Sequence, residues 1–193
     1  MMIKILVLLL IFSSTIVHAE LEIGTAAPQF ELFDHVAKES VRLSEFHGKY
    51  VVLEWINPDC PNVKRLYERK IMQHLQRDYR IKGVIWLAIN STHYMTNEDD
   101  LSWHDIHRIK YRILSDKSGQ VGHIYGAKTT PHLFIINPEG ILVYQGALDN
   151  NPEQAHKKTI NYVKLALDEL LSGQTVTIKE TEPYGCQVKY PVP

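Results

Sequence analysis

The fold is decided by residues 50–61, which read YVVLEWINPDCP. Residues 50–56 are an apolar run rich in β-branched and aromatic side chains, which is typical of a strand buried on both faces of a sheet. A short polar loop follows and carries Cys60 and Pro61. We interpret this loop as a strand-to-helix junction, because a helical pattern begins immediately after it.

That helical pattern extends from Val63 to Tyr79 and is followed by a second buried strand. The apolar residues recur at spacings of three and four, which places them on one face of a helix: Val63, Leu66, Tyr67, Ile71, Leu75 and Tyr79. Residues 84–90 (VIWLAIN) repeat the apolar, β-branched composition of the first strand. The sequence therefore predicts a βαβ unit with two parallel strands.

Alternating elements continue along the rest of the chain. Residues 112–115 predict a short strand, and residues 119–125 predict a short helix. Residues 132–137 (HLFIIN) and 141–146 (ILVYQG) are strand-like runs separated by Pro-Glu-Gly, which predicts a hairpin.

A long last helix is predicted after this hairpin. Asn151 is its expected N-cap, Pro152 its first position and Gln154 the residue three after the cap. We expect Gly173 to end the helix, and residues 174–193 to form a polar tail that contains Cys186.

The first nineteen residues have the pattern of a secretory signal peptide. Lys4 precedes the apolar stretch 5–12, and the small-residue site Val17-His18-Ala19 predicts cleavage after Ala19. The apolar stretch is too short to be a stable bilayer anchor, although a retained anchor stays open as the alternative. We expect residues 20–193 to be one domain without a stable membrane anchor, secreted across the inner membrane into the periplasm or the medium.

Charge and composition exclude several functions. The formal net charge is −1, and no run of Lys or Arg gives the basic footprint of nucleic-acid binding. His104 and His107 lie three apart in a predicted helix, but two ligands do not make a metal site, so we predict no metal and no other cofactor. The chain has two cysteines, which can pair within the chain in one way only.

Three sequence landmarks resemble those of a known superfamily. They are residues 24–30 (GTAAPQF), residues 51–55 leading to Cys60-Pro61, and Thr129-Thr130-Pro131 before the hairpin. The pattern is similar to the thioredoxin-like redoxins, which include the peroxiredoxin-like alkyl hydroperoxide reductase and thiol-specific antioxidant proteins. Within it, the chain resembles a subgroup with a single active-site cysteine and a C-terminal Gly-Cys-x-Val-Lys-Tyr tail. The resemblance implies an α/β thioredoxin fold, with a central mixed β-sheet flanked by helices, over residues 20–193.

Cys60 is the expected nucleophile of such a protein. Unpaired backbone N–H groups and the helix dipole favour a thiolate at a helix N-terminus, whereas the neighbouring Asp59 opposes it. The resemblance implies a cis bond before Pro131, which would turn the backbone of Thr130 toward Cys60 so that an extended substrate could pair with it. An ordinary trans proline stays open as the alternative.

The departures from the family pattern reduce the number of functions that the resemblance allows. Val63 stands where a CxxC motif has its second cysteine, so any resolving thiol within the chain must be Cys186. Leu53 and Asn57 stand where peroxidases have the Pro and Thr of PxxxTxxC, and Pro131 replaces a pocket Arg. These losses argue against an efficient peroxidase, although Asn57 could still donate a hydrogen bond.

We therefore predict a thiol-disulfide oxidoreductase that acts on protein thiols or disulfides and is served by an unidentified reductant. Cys60 is the nucleophile and Cys186 its disulfide partner, while the residues expected to face the substrate are Thr130, Pro131, Asn57 and Pro61. Two alternatives stay open. One is a weak peroxiredoxin-like peroxidase that consumes peroxide, and the other is a non-catalytic binding module in which Cys60–Cys186 is a structural disulfide.

Overall fold

The computed structural model describes residues 21–153 and 159–192. The predicted strands and helices occur in the predicted order, and the structure adds short strands that the sequence did not indicate. The strands are β1 (Glu31–Asp34), β2 (Glu39–Arg42), β3 (Val51–Trp55), β4 (Ile85–Asn90), β5 (Arg112–Ser115), β6 (Thr129–Thr130), β7 (His132–Ile136), β8 (Leu142–Gly146) and β9 (Cys186–Gln187). The helices are α1 (Pro61–Glu68), α2 (Ile71–Arg80), α3 (Asn97–His107), α4 (Gln120–Tyr125) and α5 (Tyr162–Leu171), with a 3₁₀ turn at Leu43–Phe46.

The strands of the main sheet lie in the order β2-β1-β5-β4-β3-β7-β8. Leu53 at the centre of β3 pairs in parallel with Leu87 of β4 and antiparallel with Phe134 of β7. The β7–β8 hairpin closes this edge of the sheet. A parallel βαβ unit joined to an antiparallel hairpin and a last helix is the thioredoxin fold, so the predicted fold class and the mixed sheet are confirmed.

Two hydrophobic cores lie on opposite faces of the sheet. Side chains alternate across a strand, so Val52 of β3 and Ile56 just after it contribute to one core, while Leu53 and Trp55 of β3 contribute to the other. The first core is covered by α1, α2 and α5, and the second contains residues of α4 and the N-terminal segment. Burial on both faces explains why residues 50–56 are almost entirely apolar.

The predicted single helix over residues 63–79 is wrong, because the structure divides it into α1 and α2. Lys70 between them has a left-handed φ of 58°, which interrupts the helical hydrogen-bond ladder. The Tyr67 carbonyl accepts from the Lys70 amide at 2.9 Å and also from the Gln73 side chain, which ties the start of α2 to the end of α1. The apolar spacing continues across the break, and lysine gives no signal for a helix end.

The predicted start of the last helix is also wrong. The helix begins at Tyr162, and its N-cap is Asn161, whose side chain accepts a hydrogen bond from the Lys164 amide at 2.7 Å. Asn151 is instead buried in the preceding loop, where its side-chain amide donates to the Thr159 hydroxyl at 2.8 Å. Gln154 lies outside the described residues.

The C-terminal segment returns across the fold and forms a second, two-stranded sheet. Its strand β9 pairs antiparallel with β6, so that Cys186 lies opposite Thr130 and Gln187 opposite Thr129. The predicted polar tail is therefore an ordered part of the domain. The predicted signal peptide, in contrast, lies outside the described residues, and within residues 21–153 and 159–192 no helix has the length and hydrophobicity needed to cross a bilayer.

Candidate active site

Cys60 lies at the strand-to-helix junction that the sequence predicts. It is the N-cap residue of α1, with extended backbone angles, and Pro61 occupies the first turn. The Cys60 amide donates to the Asn57 carbonyl at 2.9 Å, and the Lys64 amide donates to the Cys60 carbonyl at 2.9 Å. These bonds fix the cysteine at the positive end of the helix, where the macrodipole favours a negative charge.

Cys60 Sγ is surrounded by backbone groups from three parts of the chain. Its thiol donates to the Thr130 carbonyl oxygen at 3.1 Å. The amides of Val63 and Cys186 direct hydrogen bonds toward the sulfur, as does the side chain of Cys186. The Thr130–Pro131 peptide bond is cis, as expected from the family resemblance. The structure thus brings Cys60, Cys186, Thr130 and Pro131 together.

The surroundings of Cys60 stabilise its thiolate. Burial alone would raise the pKa of this thiol, since it removes water from the charged form. Hydrogen bonds from the side chains of Cys186 and Thr130 and from the amides of Val63 and Cys186 outweigh burial, so the pKa of Cys60 lies below its ordinary value of 9.0. The Thr130 carbonyl acts in the opposite sense, because it accepts the proton of the neutral thiol.

Cys186 is shifted in the other direction. Burial, the hydrogen bond to Cys60 and the charge on Cys60 together raise the pKa of Cys186 to about 11. Both cysteines are free thiols in this structure. Cys60 therefore ionises first, and its negative charge keeps the proton on Cys186. Cys60 thus has the lower pKa of the two thiols, and Cys186 stays protonated in contact with it.

The segment that carries Cys186 covers Cys60. We call residues 184–190 the strap. It leaves Cys60 only 1% exposed, and Cys186 partly exposed. Backbone hydrogen bonds hold the strap on both sides, from the Val188 amide to the Lys128 carbonyl at 3.1 Å and from the His93 amide to the Lys189 carbonyl at 3.0 Å.

Two tyrosines anchor the ends of the strap. At one end the Tyr184 hydroxyl donates to Asp149 Oδ1 at 2.7 Å. At the other end the Tyr190 hydroxyl donates to the Ala127 carbonyl at 2.7 Å, and the ring stacks on His123 with 4.0 Å between ring centroids. The Tyr190 ring lies so close to α4 that a Cβ on Gly122 would be 2.5 Å from the tyrosine oxygen.

The other residues expected to face a substrate occupy different positions. Pro61 is exposed at the start of α1. Asn57 is only 2% exposed, and its side-chain oxygen accepts a hydrogen bond from the Asp59 amide at 2.8 Å. Leu53, at the position of the signature proline, is fully buried in the core. Asn57 thus braces the turn that leads into Cys60.

A buried carboxyl group that sequence reasoning missed lies in the core on the α1 side of the sheet. Glu54 is completely buried, and it accepts hydrogen bonds from Tyr67 at 2.9 Å and from the Trp86 indole at 2.7 Å. Burial raises the pKa of Glu54 to about 7, against the opposing effect of these bonds. A charged residue inside an otherwise apolar strand was the signal that could have identified it.

The histidines do not gather into a metal site among the residues that the structure covers. His107 packs its ring against Trp103, with 4.0 Å between centroids. His132 is buried, and its Nδ1 accepts a hydrogen bond from the Lys128 amide at 3.2 Å. Burial and the charge of Lys128 lower the pKa of His132 to about 3, which keeps this ring neutral.

The chain is similar to known redox proteins. It is 27% identical over 138 residues to the thiol-disulfide oxidoreductase ResA of Bacillus thuringiensis subsp. konkukian, a match that covers 70% of this chain and 75% of that protein. It is 26% identical over 160 residues to a putative peroxiredoxin in the rubredoxin operon of Clostridium pasteurianum, covering 74% and 87% of the two chains. A hypothetical protein of Sinorhizobium meliloti has a crystal structure that matches with a TM-score of 0.81 at 27% identity, covering 91% of this chain and 98% of that one.

The family model that matches this chain is that of the AhpC/TSA family, over residues 23–145. This range is more than half of the chain and contains Cys60, Thr130 and Pro131. It ends before the strap, so the model does not include Cys186. The shared range and the arrangement of the site around Cys60 lead to the same conclusion: the chain belongs to the AhpC/TSA family.

Proposed function

We propose that this protein is an extracytoplasmic thiol-disulfide oxidoreductase in which Cys60 is the nucleophile and Cys186 resolves the mixed disulfide. The observation that carries the proposal is the contact between the two thiols, with the pKa of Cys60 lowered and that of Cys186 raised. The similarity to a thiol-disulfide oxidoreductase supports the same reaction class. Protein disulfides are the proposed substrates.

The reaction begins when the Cys60 thiolate attacks one sulfur of a substrate disulfide. The Cys60–substrate bond forms as the substrate disulfide breaks, and the other substrate sulfur leaves as a thiolate. Amides of Val63 and Cys186 stabilise the thiolate before attack. The Thr130 carbonyl can only accept a hydrogen bond, so it favours the neutral thiol and limits the fall in the pKa of Cys60. A thiolate of higher pKa is the stronger nucleophile.

Resolution uses the proton and the sulfur of Cys186. Once Cys60 is in a mixed disulfide it carries no charge, and the charge that raised the pKa of Cys186 is removed. Cys186 then loses its proton to the substrate thiolate released in the first step and attacks Cys60 Sγ, so the Cys60–substrate bond breaks and the second substrate sulfur leaves as a thiolate. The products are a reduced substrate and a Cys60–Cys186 disulfide, which an external dithiol must reduce to complete the cycle.

The test is the capture of a mixed disulfide by paired variants. Cys186→Ser retains the nucleophile and removes the resolving thiol, so it should accumulate protein-bound substrate when given a disulfide-bonded protein such as oxidised ribonuclease. Cys60→Ser should accumulate none. Intact mass with and without reductant measures both yields.

The same pair of variants separates catalysis from a permanent structural disulfide. In the chain-entropy model, a disulfide that closes a loop of this length stabilises the folded protein by about 4–5 kcal/mol. If the bond were only structural, both variants would lower the melting temperature of the oxidised protein equally and neither would capture a substrate. That outcome would contradict the proposed function.

A thiol peroxidase is the second candidate, because a putative peroxiredoxin is among the similar proteins. Two features disfavour it. Asn57 stands in the place of the signature threonine, and Pro131 stands in the place of the pocket arginine and supplies no cationic donor. Peroxide is therefore the weaker substrate in this proposal.

The extracytoplasmic location rests on the pattern of residues 1–19. The proposed mature protein begins at Glu20 and is released into the periplasm or the medium. N-terminal mass analysis of protein from fractionated cells tests this step. Membrane-bound protein that retains Met1 would contradict it.

A further inference from the structure

The strap occupies the edge of the site where a substrate polypeptide would pair. Strand β9 runs antiparallel to β6, and its Cys186 lies opposite Thr130, whose carbonyl contacts Cys60. A substrate that delivers a disulfide sulfur to Cys60 as an extended chain needs this same backbone edge and this same position for its cysteine. The strap thus occupies this edge from within the chain, and its sequence indicates which residues the edge can accept.

Gly185 makes the closest approach between the strap and this edge. A Cβ built on Gly185 would lie 2.1 Å from the Thr130 carbonyl oxygen and 2.9 Å from the Thr130 carbonyl carbon. Both atoms belong to backbone that is held by β6 and by the Cys60 thiol, so they cannot give way as a flexible side chain does. Gly185 also has a φ of +131°, which residues with side chains rarely adopt.

We infer that the β6 edge selects extended polypeptides in which glycine immediately precedes the reactive cysteine. The strap pair Gly185-Cys186 is the internal copy of this motif. A residue with a side chain at that place would overlap Thr130, and its cysteine would be held away from Cys60. The inference rests on the proposed function and names its substrate class.

Substrate and strap cannot pair with β6 at the same time, so they exchange during the cycle. The strap leaves the edge when the substrate strand enters, and the Cys60 thiolate forms the mixed disulfide as the leaving thiolate departs. The strap then reclaims the edge, which brings Cys186 Sγ back to Cys60. Cys186 gives its proton to the substrate thiolate released in the first step, and as the Cys60–Cys186 bond forms the Cys60–substrate bond breaks and releases the second substrate sulfur as a thiolate.

The test compares two peptides that differ only at the residue before cysteine. Tyr-Gly-Cys-Gln-Val and Tyr-Ala-Cys-Gln-Val are each prepared with the cysteine as a mixed disulfide with 2-thiopyridine. The protein is full-length reduced Cys186→Ser, and the release of pyridine-2-thione is followed by absorbance. Each rate is divided by the rate of the same peptide with free glutathione, which corrects for intrinsic reactivity.

We expect the glycine peptide to react at least tenfold faster than the alanine peptide. Equal corrected rates would overturn the glycine requirement and leave the proposed function intact. The small disulfide 2,2′-dipyridyl disulfide serves as the control, since it needs no backbone edge. If it also failed to react, the proposed function itself would be contradicted, and this inference with it.

A second variant tests whether the strap is the competitor. In the Cys186→Ser background, Gly185→Ala should expel the strap from β6 and speed the reaction of the glycine peptide. Gly173→Ala is the matched control, because Gly173 also has a positive φ, of +74°, but has open space around it. A rate for Gly185→Ala equal to that of the control would overturn the internal-occupant interpretation.

Discussion

The thiol of Cys186 is hydrogen-bonded to the thiol of Cys60, although the two cysteines lie far apart in the sequence. The contact shifts the pKa values of the two thiols in opposite directions. Cys60 receives hydrogen bonds that stabilise its charge, and that charge in turn raises the pKa of Cys186. In the proposed reaction, the order of the two steps, attack by Cys60 and resolution by Cys186, follows from this asymmetry.

The first prediction concerns the group at position 186. Cys186→Ser retains a side-chain donor to Cys60, whereas Cys186→Ala does not, so the pKa of Cys60 should be higher in the alanine variant. A hydrogen bond to a charged group is worth about 1.5–3 kcal/mol, which corresponds to about one pKa unit or more. The pH dependence of iodoacetamide alkylation at Cys60 measures both midpoints. Identical midpoints would show that the side chain at 186 does not stabilise the thiolate.

The second prediction is that Glu54 makes stability depend on pH. Well below pH 4.5 the carboxyl is protonated in both the folded and the unfolded chain, so it does not make the unfolding free energy depend on pH. As pH rises, the unfolded chain releases this proton near its ordinary pKa of 4.5, whereas the folded chain holds it until about 7. The stability contributed by the neutral group is therefore lost between these values, and the loss amounts to about 3 kcal/mol.

Glu54→Gln removes this titration and is the matched variant. Its amide oxygen can still accept from Trp86, and the Tyr67 hydroxyl can rotate to accept from the amide nitrogen. Urea denaturation from pH 4 to pH 8 measures the unfolding free energies of wild type and variant. As pH rises, the variant should become more stable relative to wild type. A difference that stays constant across this range would contradict the raised pKa of Glu54.

The third prediction concerns the packing of the Tyr190 ring against α4. In Gly122→Ala the new methyl group would overlap the Tyr190 ring, so the ring should leave and the end of the strap should loosen. Cys60 should then react several-fold faster with a bulky maleimide. Tyr190→Ala should have the same effect by removing the ring. Once Tyr190 is absent, adding Gly122→Ala should change nothing further, and additive effects would argue against this contact as the cause.

The fourth prediction is slow reaction with hydrogen peroxide. The thiolate is available, but the threonine and the cationic arginine that polarise peroxide in peroxidases are replaced here by Asn57 and Pro131. Stopped-flow rates should therefore be far below those for 2,2′-dipyridyl disulfide with the same preparation. The disulfide control shows that a closed strap is not the cause of slow turnover. Fast, saturable peroxide reduction would promote the peroxidase assignment.

Local sequence patterns determined the core of the fold and the place of Cys60, the proposed nucleophile. A buried strand run, a polar loop and a helical repeat follow one another within residues 50–79, so their physical signals are read without knowledge of distant contacts. The same patterns failed at Lys70 and at the start of α5. A left-handed lysine has no compositional signal, and Asn151 and Asn161 are equally good caps until tertiary contacts bury the first one.

The count of two cysteines left Cys186 as the only candidate for a resolving thiol within the chain, but only the tertiary structure decided how that thiol reaches Cys60. The strap has no periodic pattern of its own, and its path depends on pairing with β6, on Tyr184 and on the seat of Tyr190. The environment of Glu54 was decided in the same way, because the strand pattern does not reveal which side chains meet a buried carboxyl. Sequence fixes the chemistry available at each position locally, whereas pKa values and access depend on neighbours that only long-range packing supplies.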